Sequence, residues 1–329
     1  MRLPPENHVN DSIEAIDDNS WLIGRKLVLS RQPSTSSTQP SWNDSNGGFF
    51  ELSDAPSPLP ATQPHPENSI ELPRVYAAGD QSAIWRAGEA FIKIRDLRYP
   101  SITREHVTLE FLHRKQPLSF DIPQVLYHGE WDGKYYLVLS RIPGLTITAA
   151  WPTMDEELRQ HYVARVAEVC GGLAKWKGED VCEVDGRDLS EFYLTMKEGE
   201  LDPATLRASC VTMGMNVEEL VFYHCDLGPG NVIVDPETRG LGIIDWEIAG
   251  YVPREWVRTK FHLSSGMDFP NVKDEDARSD WRRLVGRKLA AMGFVEVIDG
   301  FLGAKELIRH TLRGCERGRG IIPMNIPWN

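Results

Sequence analysis

Alternating apolar and polar residues predict strands in the first half of the chain. Ala90–Arg95 has the period of two that places successive side chains on opposite faces, and Tyr135–Ser140 reads as an apolar strand. Val75–Ala78 and Ala83–Arg86 flank the turn residues Gly79–Ser82, which favours a hairpin. This part of the chain is therefore expected to be rich in β-structure.

The spacing of apolar residues becomes helical in the second half. Thr153 and Glu156 match a capping box, and six apolar residues then recur at helical spacing: Leu158, Tyr162, Val166, Val169, Cys170 and Leu173. Further helices are predicted for Glu255–Phe261, Glu275–Met292 and Val295–Leu312. We expect these helices to form a second, helical lobe.

The first seventy residues differ from the rest in composition. Arg31–Asn46 is dominated by Ser, Thr, Gln, Pro and Asn, and Asp54–Asn68 is rich in proline, so neither stretch offers enough apolar surface to offset its ordering entropy. Two apolar segments, Trp21–Leu29 and Phe49–Leu52, lie beside them. We expect residues 1–70 to be a largely disordered extension whose apolar segments dock as short strands, the alternative being that they bind a partner.

The segment from His224 to Asn231 reads HCDLGPGN and precedes a predicted hairpin. Val232–Asp235 and Leu241–Ile244 are β-type runs separated by a cluster of turn residues. Folded antiparallel, this hairpin places Asn231 opposite Asp245, and directly opposed Cβ atoms lie roughly 5 Å apart. An amide oxygen and a carboxylate at that separation can both ligate Mg²⁺, which prefers oxygen ligands.

Asp226 precedes this hairpin, in a loop that Gly228, Pro229 and Gly230 force into a tight path. From there its carboxylate can reach a substrate hydroxyl, which is the position of a catalytic base. The base, an Asn five residues later and a second Asp after the hairpin match the template for phosphoryl transfer from a nucleoside triphosphate. His224 is expected to brace the loop through hydrogen bonds.

The segment Phe222–Gly250 resembles the catalytic core of the aminoglycoside phosphotransferase family, the small-molecule branch of the kinase-like fold. The family patterns H-G-D-L-x-P-x-N and I-I-D-W-E-x-A-G are matched from His224 to Asn231 and from Ile243 to Gly250. Pro253 and Trp256 continue the resemblance in the form common in fungal members. The resemblance covers about three quarters of the chain.

This resemblance implies an α+β, two-lobed protein-kinase-like fold. Its small β-rich N-lobe (71–142) would bind the nucleotide, and its larger helical C-lobe (143–329) would carry the catalytic loop and the acceptor pocket. The implied cofactors are ATP and Mg²⁺, with Asp226 as the base and with Asn231 and Asp245 as metal ligands. The implied partner is a small-molecule acceptor whose hydroxyl receives the γ-phosphoryl group.

The resemblance also requires a lysine on a strand, to contact the α- and β-phosphates, and a glutamate on the next helix. Lys93 is the lysine, and Glu105 and Glu110 are both candidates for its partner. Glu105 shares an apolar helical stripe with Leu109 and Leu112. Glu110 falls on the polar side of the same helix. Because a carboxylate on an apolar stripe is costly to bury unless it is paired, Glu105 is the predicted partner.

Two further nucleotide contacts follow from the same ordering of elements. The hairpin tip with Gly79 and Ser82 would cover the phosphates, an assignment that depends on its position before Lys93 because the tip has only one glycine. The strand that ends near Leu139 and Arg141 would form the hinge, where backbone groups would hold the adenine.

Length and composition limit the remaining possibilities. A chain of 329 residues with 41% hydrophobic content suits one bilobal domain. No apolar run approaches the roughly 18 residues of a transmembrane helix, and the first residues have no apolar signal core. The five cysteines are scattered, without a C-x-x-C pair, so reduced thiols and a cytoplasmic location are expected. One of them, Cys225, stands where the family usually has Gly, and its small thiol is expected to fit.

The formal net charge of −12 bears on possible partners. Nothing in the sequence implies a nucleic acid, membrane or protein partner. Acidic residues cluster in the second half of the chain, at Asp155–Glu157, Glu198–Asp202, Glu218–Glu219 and Asp274–Asp276. Most of these are expected to be solvated, but a negative field also concentrates cations at a cleft, so a cationic acceptor is predicted.

Two other functions compete with a small-molecule kinase. A protein kinase is disfavoured because Trp246 and Glu247 replace the Phe-Gly of D-F-G and no A-P-E segment follows. A pseudokinase that binds nucleotide or a partner without turnover stays open. Its usual marks are loss of the lysine, the base or a metal ligand, and the sequence retains all of these.

Overall fold

The chain divides into two compact units. The computed structural model describes residues 8–35, 38–98, 104–197 and 199–306. Unit 1 comprises Met1–Leu145 and Ile233–Glu247, and unit 2 comprises Thr146–Val232 and Ile248–Asn329. Unit 1 is rich in strands and unit 2 in helices, which confirms the predicted α+β class. The return of Ile233–Glu247 to unit 1 was not part of the predicted division at residue 142.

The N-terminal residues of unit 1 form a six-stranded antiparallel sheet with the strand order β4-β5-β3-β2-β1-β6. Its strands are β1 (Ile13–Asp17), β2 (Ser20–Ile23), β3 (Leu27–Gln32), β4 (Ser41–Asn43), β5 (Phe49–Asp54) and β6 (Gln63–Pro64). The expectation of a largely disordered extension is therefore wrong for residues 8–35 and 38–70, whereas residues 1–7, 36 and 37 lie outside the described part. The two apolar segments do form strands, as expected.

Side-chain hydrogen bonds explain why the polar stretch before Phe49 is ordered. The carboxylate of Asp44 accepts hydrogen bonds from the backbone N–H groups of Asn46 and Gly48, both at 2.8 Å. Its other oxygen lies 3.1 Å from Nε of Arg31. Asp44 is buried, so these contacts satisfy a group that would otherwise be costly to bury. Composition alone does not reveal such contacts.

A second, five-stranded antiparallel sheet carries the predicted nucleotide-binding residues, in the order β10-β11-β9-β8-β7. The strands are β7 (Arg74–Ala78), β8 (Ser82–Ala87), β9 (Ala90–Asp96), β10 (Val125–Trp131) and β11 (Lys134–Ser140), and helix α1 (Glu105–Arg114) lies between β9 and β10 in the chain. Both sheets contribute to one core, in which Trp21 and Phe50 of the first lie with Trp85 and Ile92 of the second. The hairpin and strands predicted here are confirmed.

A three-stranded sheet contains the hairpin that follows the HCDLGPGN segment. It consists of β12 (Leu145–Thr146), β15 (Val232–Asp235) and β16 (Gly240–Ile243), with β15 in the middle. The predicted hairpin is present, with its second strand shifted by one residue. The expected opposition of Asn231 and Asp245 stays a prediction.

Unit 2 is built mainly from helices. They are α2 (Ile147–Ala150), α3 (Glu156–Leu173), α4 (Pro203–Thr212), α5 (Arg254–Leu263) and α6 (Glu275–Ala291), and residues 298–306 are also helical. The strands β13 (Lys177–Gly178), β14 (Leu220–His224) and β17 (Ala249–Pro253) form a small sheet with β14 in the middle. The predicted helices are present, except that the last begins at residue 298 rather than at Val295 and that residues 307–312 lie outside the described part. None of the described helices is both long and apolar enough to cross a bilayer.

The cap of α3 differs from the prediction. Oδ1 of Asp155 accepts a hydrogen bond from the backbone N–H of Leu158 at 2.8 Å, so Asp155 is the N-cap. Thr153 instead donates its hydroxyl to the carbonyl oxygen of Ala150 at 3.0 Å. An aspartate cap satisfies the same orphan N–H groups and adds a favourable charge at the helix N-terminus.

Candidate active site

The loop after β14 holds Asp226 through hydrogen bonds to its backbone and its carboxylate. The backbone N–H of Asp226 donates to Nδ1 of His224 at 3.1 Å, as expected of a bracing histidine. The side-chain amide of Asn231 donates to the Asp226 carbonyl oxygen at 2.8 Å and to its Oδ2 at 3.0 Å. His224 is fully buried whereas Asp226 is half-buried. The loop therefore presents one carboxylate in a defined position.

The orientation of the Asn231 amide has a chemical consequence. Because its Nδ2 donates to Asp226, its Oδ1, at the other end of the planar amide group, takes no part in these two bonds. An amide oxygen is a ligand of the kind that Mg²⁺ prefers. The sequence-predicted pair Asp226 and Asn231 is thus brought together within unit 2, with Asn231 suited to a metal-ligand role.

Cys225 fits into this loop without breaking its backbone pairing. Its N–H donates to the carbonyl oxygen of Ile248 at 2.8 Å, continuing the pairing of β14 with β17. The thiol is completely buried. Burial, with the nearby carboxylate of Glu191, raises the pKa of Cys225 well above its usual value, so the thiol stays neutral.

The predicted lysine–glutamate pair is present in unit 1. Nζ of Lys93 lies 2.6 Å from Oε2 of Glu105 and 2.5 Å from Oδ1 of Asp245. Glu105 is buried on α1 beside Leu109 and Leu112, whereas Glu110 on the same helix is exposed. The helical register that selected Glu105 over Glu110 is therefore correct.

The electrostatics of this cluster favour a charged lysine. Burial opposes the charge on Lys93, but the carboxylates of Asp245, Glu105 and Glu247 outweigh it and raise the pKa of Lys93 well above its usual value. Carboxylate oxygens of Glu105, Asp245 and Glu247 lie within 4.8 Å of one another. Hard divalent cations take such oxygen donors, so the residues suit a magnesium ion.

Sequence reasoning missed two members of this cluster, Arg95 and Glu247. Arg95 forms an ion pair with Glu247, and Oε2 of Glu247 lies 3.8 Å from Nζ of Lys93. Burial and the neighbouring Asp245 carboxylate raise the pKa of Glu247 to about 7, against the pull of Lys93 and Arg95. The strand period of two could have identified Arg95, because it places Arg95 on the same face of β9 as Lys93.

The backbone at Asp245 adopts an uncommon conformation. Its φ is 64°, in the left-handed region that residues other than glycine seldom occupy. The next backbone N–H, that of Trp246, donates to Oε1 of Glu105 at 2.9 Å. Together with the Lys93 contact, this bond holds the Asp245 carboxylate toward Lys93. Conformations of this kind cluster at functional sites.

The structure shows where the predicted phosphate-covering residues Gly79 and Ser82 lie, but it does not test their contact with a nucleotide. Gly79 is exposed at the β7–β8 turn with φ 52°, and its carbonyl oxygen accepts a hydrogen bond from Nδ2 of Asn10 at 3.1 Å. Ser82 is buried and pairs across the sheet with Arg95, while Ile84 pairs with Lys93. The hairpin tip is thus tied to the N-terminal segment, and its phosphate contact stays a prediction.

The predicted hinge is part of the five-stranded sheet. Leu139 is buried and pairs with Phe91. The backbone N–H of Arg141 donates to the carbonyl oxygen of Glu89 at 2.8 Å, and its guanidinium lies 2.7 Å from the Glu89 carboxylate. This N–H is therefore not a free donor for adenine, and the hinge contact stays a prediction.

A cavity of about 700 Å³ adjoins the Asp226 loop within unit 2. Pro229 and Gly230 of the loop line it, with Thr148 and residues after α5 that include Ser265–Gly266 and Asp268–Val272. A Cβ added at Gly266 would lie 3.9 Å from Oδ1 of Asp226, so this segment approaches the carboxylate closely. Sequence reasoning did not identify the segment, because its loop has no local pattern that points to Asp226.

Comparison with known proteins gives one match to a family. Residues 72–256, more than half of the chain, match the phosphotransferase enzyme family. Two relatives are the aminoglycoside 3'-phosphotransferases of Streptomyces fradiae, 31% identical over 153 residues, and of Streptomyces ribosidificus, 30% identical over 142 residues. These matches cover 42% and 39% of this chain. The chain spans about half the length of these relatives, 54% and 52%.

Similar solved structures include an aminoglycoside-3'-phosphotransferase of type VIII, with 19% identity and a TM-score of 0.44 over 73% of this chain and 94% of the other. A streptomycin-ATP-APH(2")-IIa ternary complex has 17% identity and a TM-score of 0.43, over 74% of this chain and 82% of the other. Resemblances this distant add nothing to the sequence match. On the match of residues 72–256, the chain belongs to the phosphotransferase enzyme family.

Proposed function

We propose that the chain is a small-molecule kinase that transfers the γ-phosphoryl group of ATP to a hydroxyl group of an acceptor. The observation that carries this proposal is the Asp226 carboxylate, held by the Asn231 amide in a loop that also lines a cavity. Membership of the phosphotransferase enzyme family supports it. The names of the two Streptomyces relatives agree with a small-molecule acceptor.

Asp226 is the proposed general base. Its carboxylate would accept the proton of the acceptor hydroxyl as the oxygen attacks the γ-phosphorus and the bond from that phosphorus to the bridging oxygen breaks, releasing ADP. The hydrogen bonds from Asn231 and to His224 fix the carboxylate and the backbone of the loop. The reacting hydroxyl therefore meets a base whose position is already set, which lowers the entropic cost of reaching the transition state.

Lys93 is proposed to bind the nucleotide phosphates, and Glu105 to position Lys93. The raised pKa keeps the ammonium group charged at neutral pH. Asn231 and Asp245 are the residues that would hold Mg²⁺, which when bound neutralises charge on the phosphates. Asp245 is one-third exposed, unlike Glu105, which is buried, so Asp245 is the more accessible carboxylate of the pair.

The cavity beside Pro229 is the proposed acceptor pocket. Its lining combines hydroxyl and amide groups, at Thr148, Ser265 and Asn271, with apolar groups such as Phe269. Such a mixture suits a polyhydroxylated molecule with some apolar surface, because a few polar groups set orientation while apolar groups exclude water.

The charge of the lining does not support the expectation of a cationic acceptor. Asp268 is the only carboxylate among the described residues that line the cavity, and it already pairs with Arg282 and Arg278. The acidic clusters at Asp155–Glu157 and Asp274–Asp276 begin α3 and α6, where their first members act as N-caps. Acidic residues there stabilise helix N-termini, which accounts for these two clusters without a cationic ligand.

The test is a transfer assay with a base variant. Purified protein with ATP and Mg²⁺ is incubated with a panel of metabolites and aminoglycosides, and phosphorylated products are measured by mass spectrometry. Asp226→Asn keeps the size and most hydrogen bonds of the side chain but removes proton acceptance, so we expect the transfer rate to fall by about 10²–10⁴ while ATP binding survives. A near-normal rate in this variant would contradict the assignment of the base.

The alternative is a nucleotide-binding pseudokinase. Its motif residues would be the same, so the distinguishing result is ATP binding without a phosphorylated product on any acceptor of the panel. The intact Lys93–Glu105 pair and the Asp226–Asn231 pair argue for turnover, because selection for binding alone does not require the base.

A further inference from the structure

Two histidines and a glutamate meet between α1 and β10 in unit 1. His106 and Glu110 lie four residues apart on α1 and so share one face of the helix, and His128 lies on β10, against which α1 packs. One ligand atom from each of the three residues lies within 4.8 Å of the others. Phosphoryl transfer as proposed above uses none of the three.

A hydrogen bond to one ring nitrogen of His106 leaves the other nitrogen available to bind a metal ion. Its Nδ1 lies 2.8 Å from the hydroxyl oxygen of Tyr135. In the tautomer that donates from Nδ1 to this oxygen, the lone pair is on Nε2, and metal-bound histidines are commonly oriented by such a second hydrogen bond.

The other two residues can move to complete a site. The rings of His106 and His128 stack with centroids 3.8 Å apart and an angle of 12° between planes, so their lone pairs lie in two nearly parallel planes and do not converge on one point. The side chains of His128 and Glu110 are 42% and 50% exposed, and Nε2 of His128 lies 4.0 Å from Oε1 of Glu110. Rotation of the exposed His128 ring turns its lone pair toward that of His106 at little cost in packing.

We propose that His106, Glu110 and His128 bind a divalent transition-metal ion, with Zn²⁺ as the best fit. Two imidazole nitrogens, one carboxylate oxygen and one water give the four ligands of a tetrahedral zinc site. Imidazole ligands select against Mg²⁺, which prefers oxygen donors, so this site would be distinct from that of the nucleotide-associated ion.

Metal binding here joins α1 to β10. Both elements belong to unit 1, and α1 also carries Glu105, the residue before His106. A metal that binds only the folded arrangement stabilises it in proportion to its occupancy. If Lys93 and Glu105 act as proposed above, the same metal would also steady the helix that positions Lys93; this consequence rests on the proposed function, whereas the binding site does not.

The experiment is a metal titration of the full chain, stripped with a chelator and free of nucleotide. Zn²⁺ binding is measured by calorimetry, Co²⁺ binding by the intensity of its visible absorption bands, and Mg²⁺ serves as the comparison ion. We expect saturable binding of one Zn²⁺ per chain that depends on this site, a tetrahedral Co²⁺ spectrum, a raised unfolding temperature with Zn²⁺, and no competition by Mg²⁺ at the same concentration.

Two variants test the proposed ligands, and a third variant is a matched control. His128→Ala and Glu110→Gln change exposed side chains, so both should fold normally, and each should weaken Zn²⁺ binding by at least about tenfold and remove the thermal stabilisation. His262 is an exposed histidine 3.7 Å from Glu296, a pair that belongs to no cluster of three potential metal ligands among the described residues, and His262→Ala should leave binding unchanged. Zn²⁺ binding that is absent, or that is unchanged in both ligand variants, overturns the proposal.

Discussion

Two lysines are buried against glutamates, one in each unit, and they differ in what else surrounds them. In unit 1, Lys93 contacts Glu105 and Asp245 and lies near Glu247. In unit 2, Nζ of Lys260 lies 2.9 and 2.7 Å from the two carboxylate oxygens of Glu191. The Lys260 ammonium also lies 4.4 Å from the centre of the Tyr193 ring, an arrangement that favours a cation.

The difference separates the Lys93 cluster, which is suited to bind a ligand, from the Lys260–Glu191 pair, which is suited only to support the structure. Three carboxyl groups surround Lys93 and Arg95, which leaves one negative charge in surplus when Glu247, with its pKa of about 7, is ionised, and Asp245 is 32% exposed. The Lys260–Glu191 pair is neutral as a whole and closed to solvent, with Glu191 1% exposed. A buried lysine is therefore no sign of function by itself. Surplus charge that reaches solvent is the better indicator, because such charge can accept a ligand.

The position of the Lys260–Glu191 pair links it to the proposed active site. Burial opposes the charge on Lys260, but the carboxylates of Glu191 and Asp226 raise the pKa of Lys260 above its ordinary value. The pair thus lies close to the loop that holds Asp226. We infer that it supports this loop mechanically, whereas Lys93 acts on the nucleotide.

The largest expected effect is on stability, from Lys260→Met. This change leaves the buried Glu191 without its partner, and breaking a buried ion pair typically costs about 3–5 kcal/mol of unfolding free energy. The double variant Lys260→Met with Glu191→Gln removes both charges and should recover part of the loss. Urea denaturation of the three proteins measures these differences. A single variant as stable as the unmodified protein would show that the pair is not structural.

The next effect is on catalysis, from Lys93→Met. Removing a charge that binds the phosphates should lower kcat/KM for ATP by about 10²–10³. It also leaves the buried Glu105 without its lysine, so we expect a loss of unfolding free energy alongside the kinetic effect. Steady-state kinetics and urea denaturation of the same samples separate the two outcomes. Full activity in Lys93→Met would remove the contrast between the two lysines.

Lys134 is the matched control for that experiment. It is a buried lysine on β11 of the same sheet, and its Nζ has no hydrogen-bond partner among the described residues. Burial lowers its pKa, against nearby carboxylates that include Asp132 and Asp96. Lys134→Met removes a poorly satisfied charge, so activity should be kept and stability should not fall.

The smallest effect concerns the reactivity of Cys225. Its thiol is buried, and its pKa is raised by burial and by nearby carboxylates, so the reactive thiolate is scarce at pH 8. Alkylation of Cys225 should be slow in the folded protein and faster in Lys260→Met, where the loop opens more often. Mass spectrometry of the modified peptide measures both rates. Equal rates would indicate that the Lys260–Glu191 pair does not hold the loop closed.

Much of the candidate site was predictable because its information is local. Asp226, Asn231 and Asp245 fall in one short segment whose turn residues and β-type runs set their order. The helical period of 3.6 selected Glu105 over Glu110, and the structure places Glu105 against Lys93. In both cases the prediction needed only the local pattern of one segment of the chain.

The N-terminal sheet shows where composition misleads. Its polar and proline-rich stretches looked unable to fold, yet β2, β3 and β5 share a core with β8 and β9. Pro64 lies in β6, at the edge of the sheet, where a missing N–H does little harm. Disorder was predicted from each stretch alone, but order comes from partners elsewhere in the chain.

The sequence by itself determined which residue types stand at which face of each strand and helix, and with them the family and the chemistry predicted for the loop that holds Asp226. Only the tertiary structure decided which distant residues meet: Glu247 with Arg95, Lys260 with Glu191, and His128 with His106. The reason is physical. A periodic pattern fixes the direction of a side chain within its own element, whereas the neighbour that it meets depends on how separate elements pack against one another.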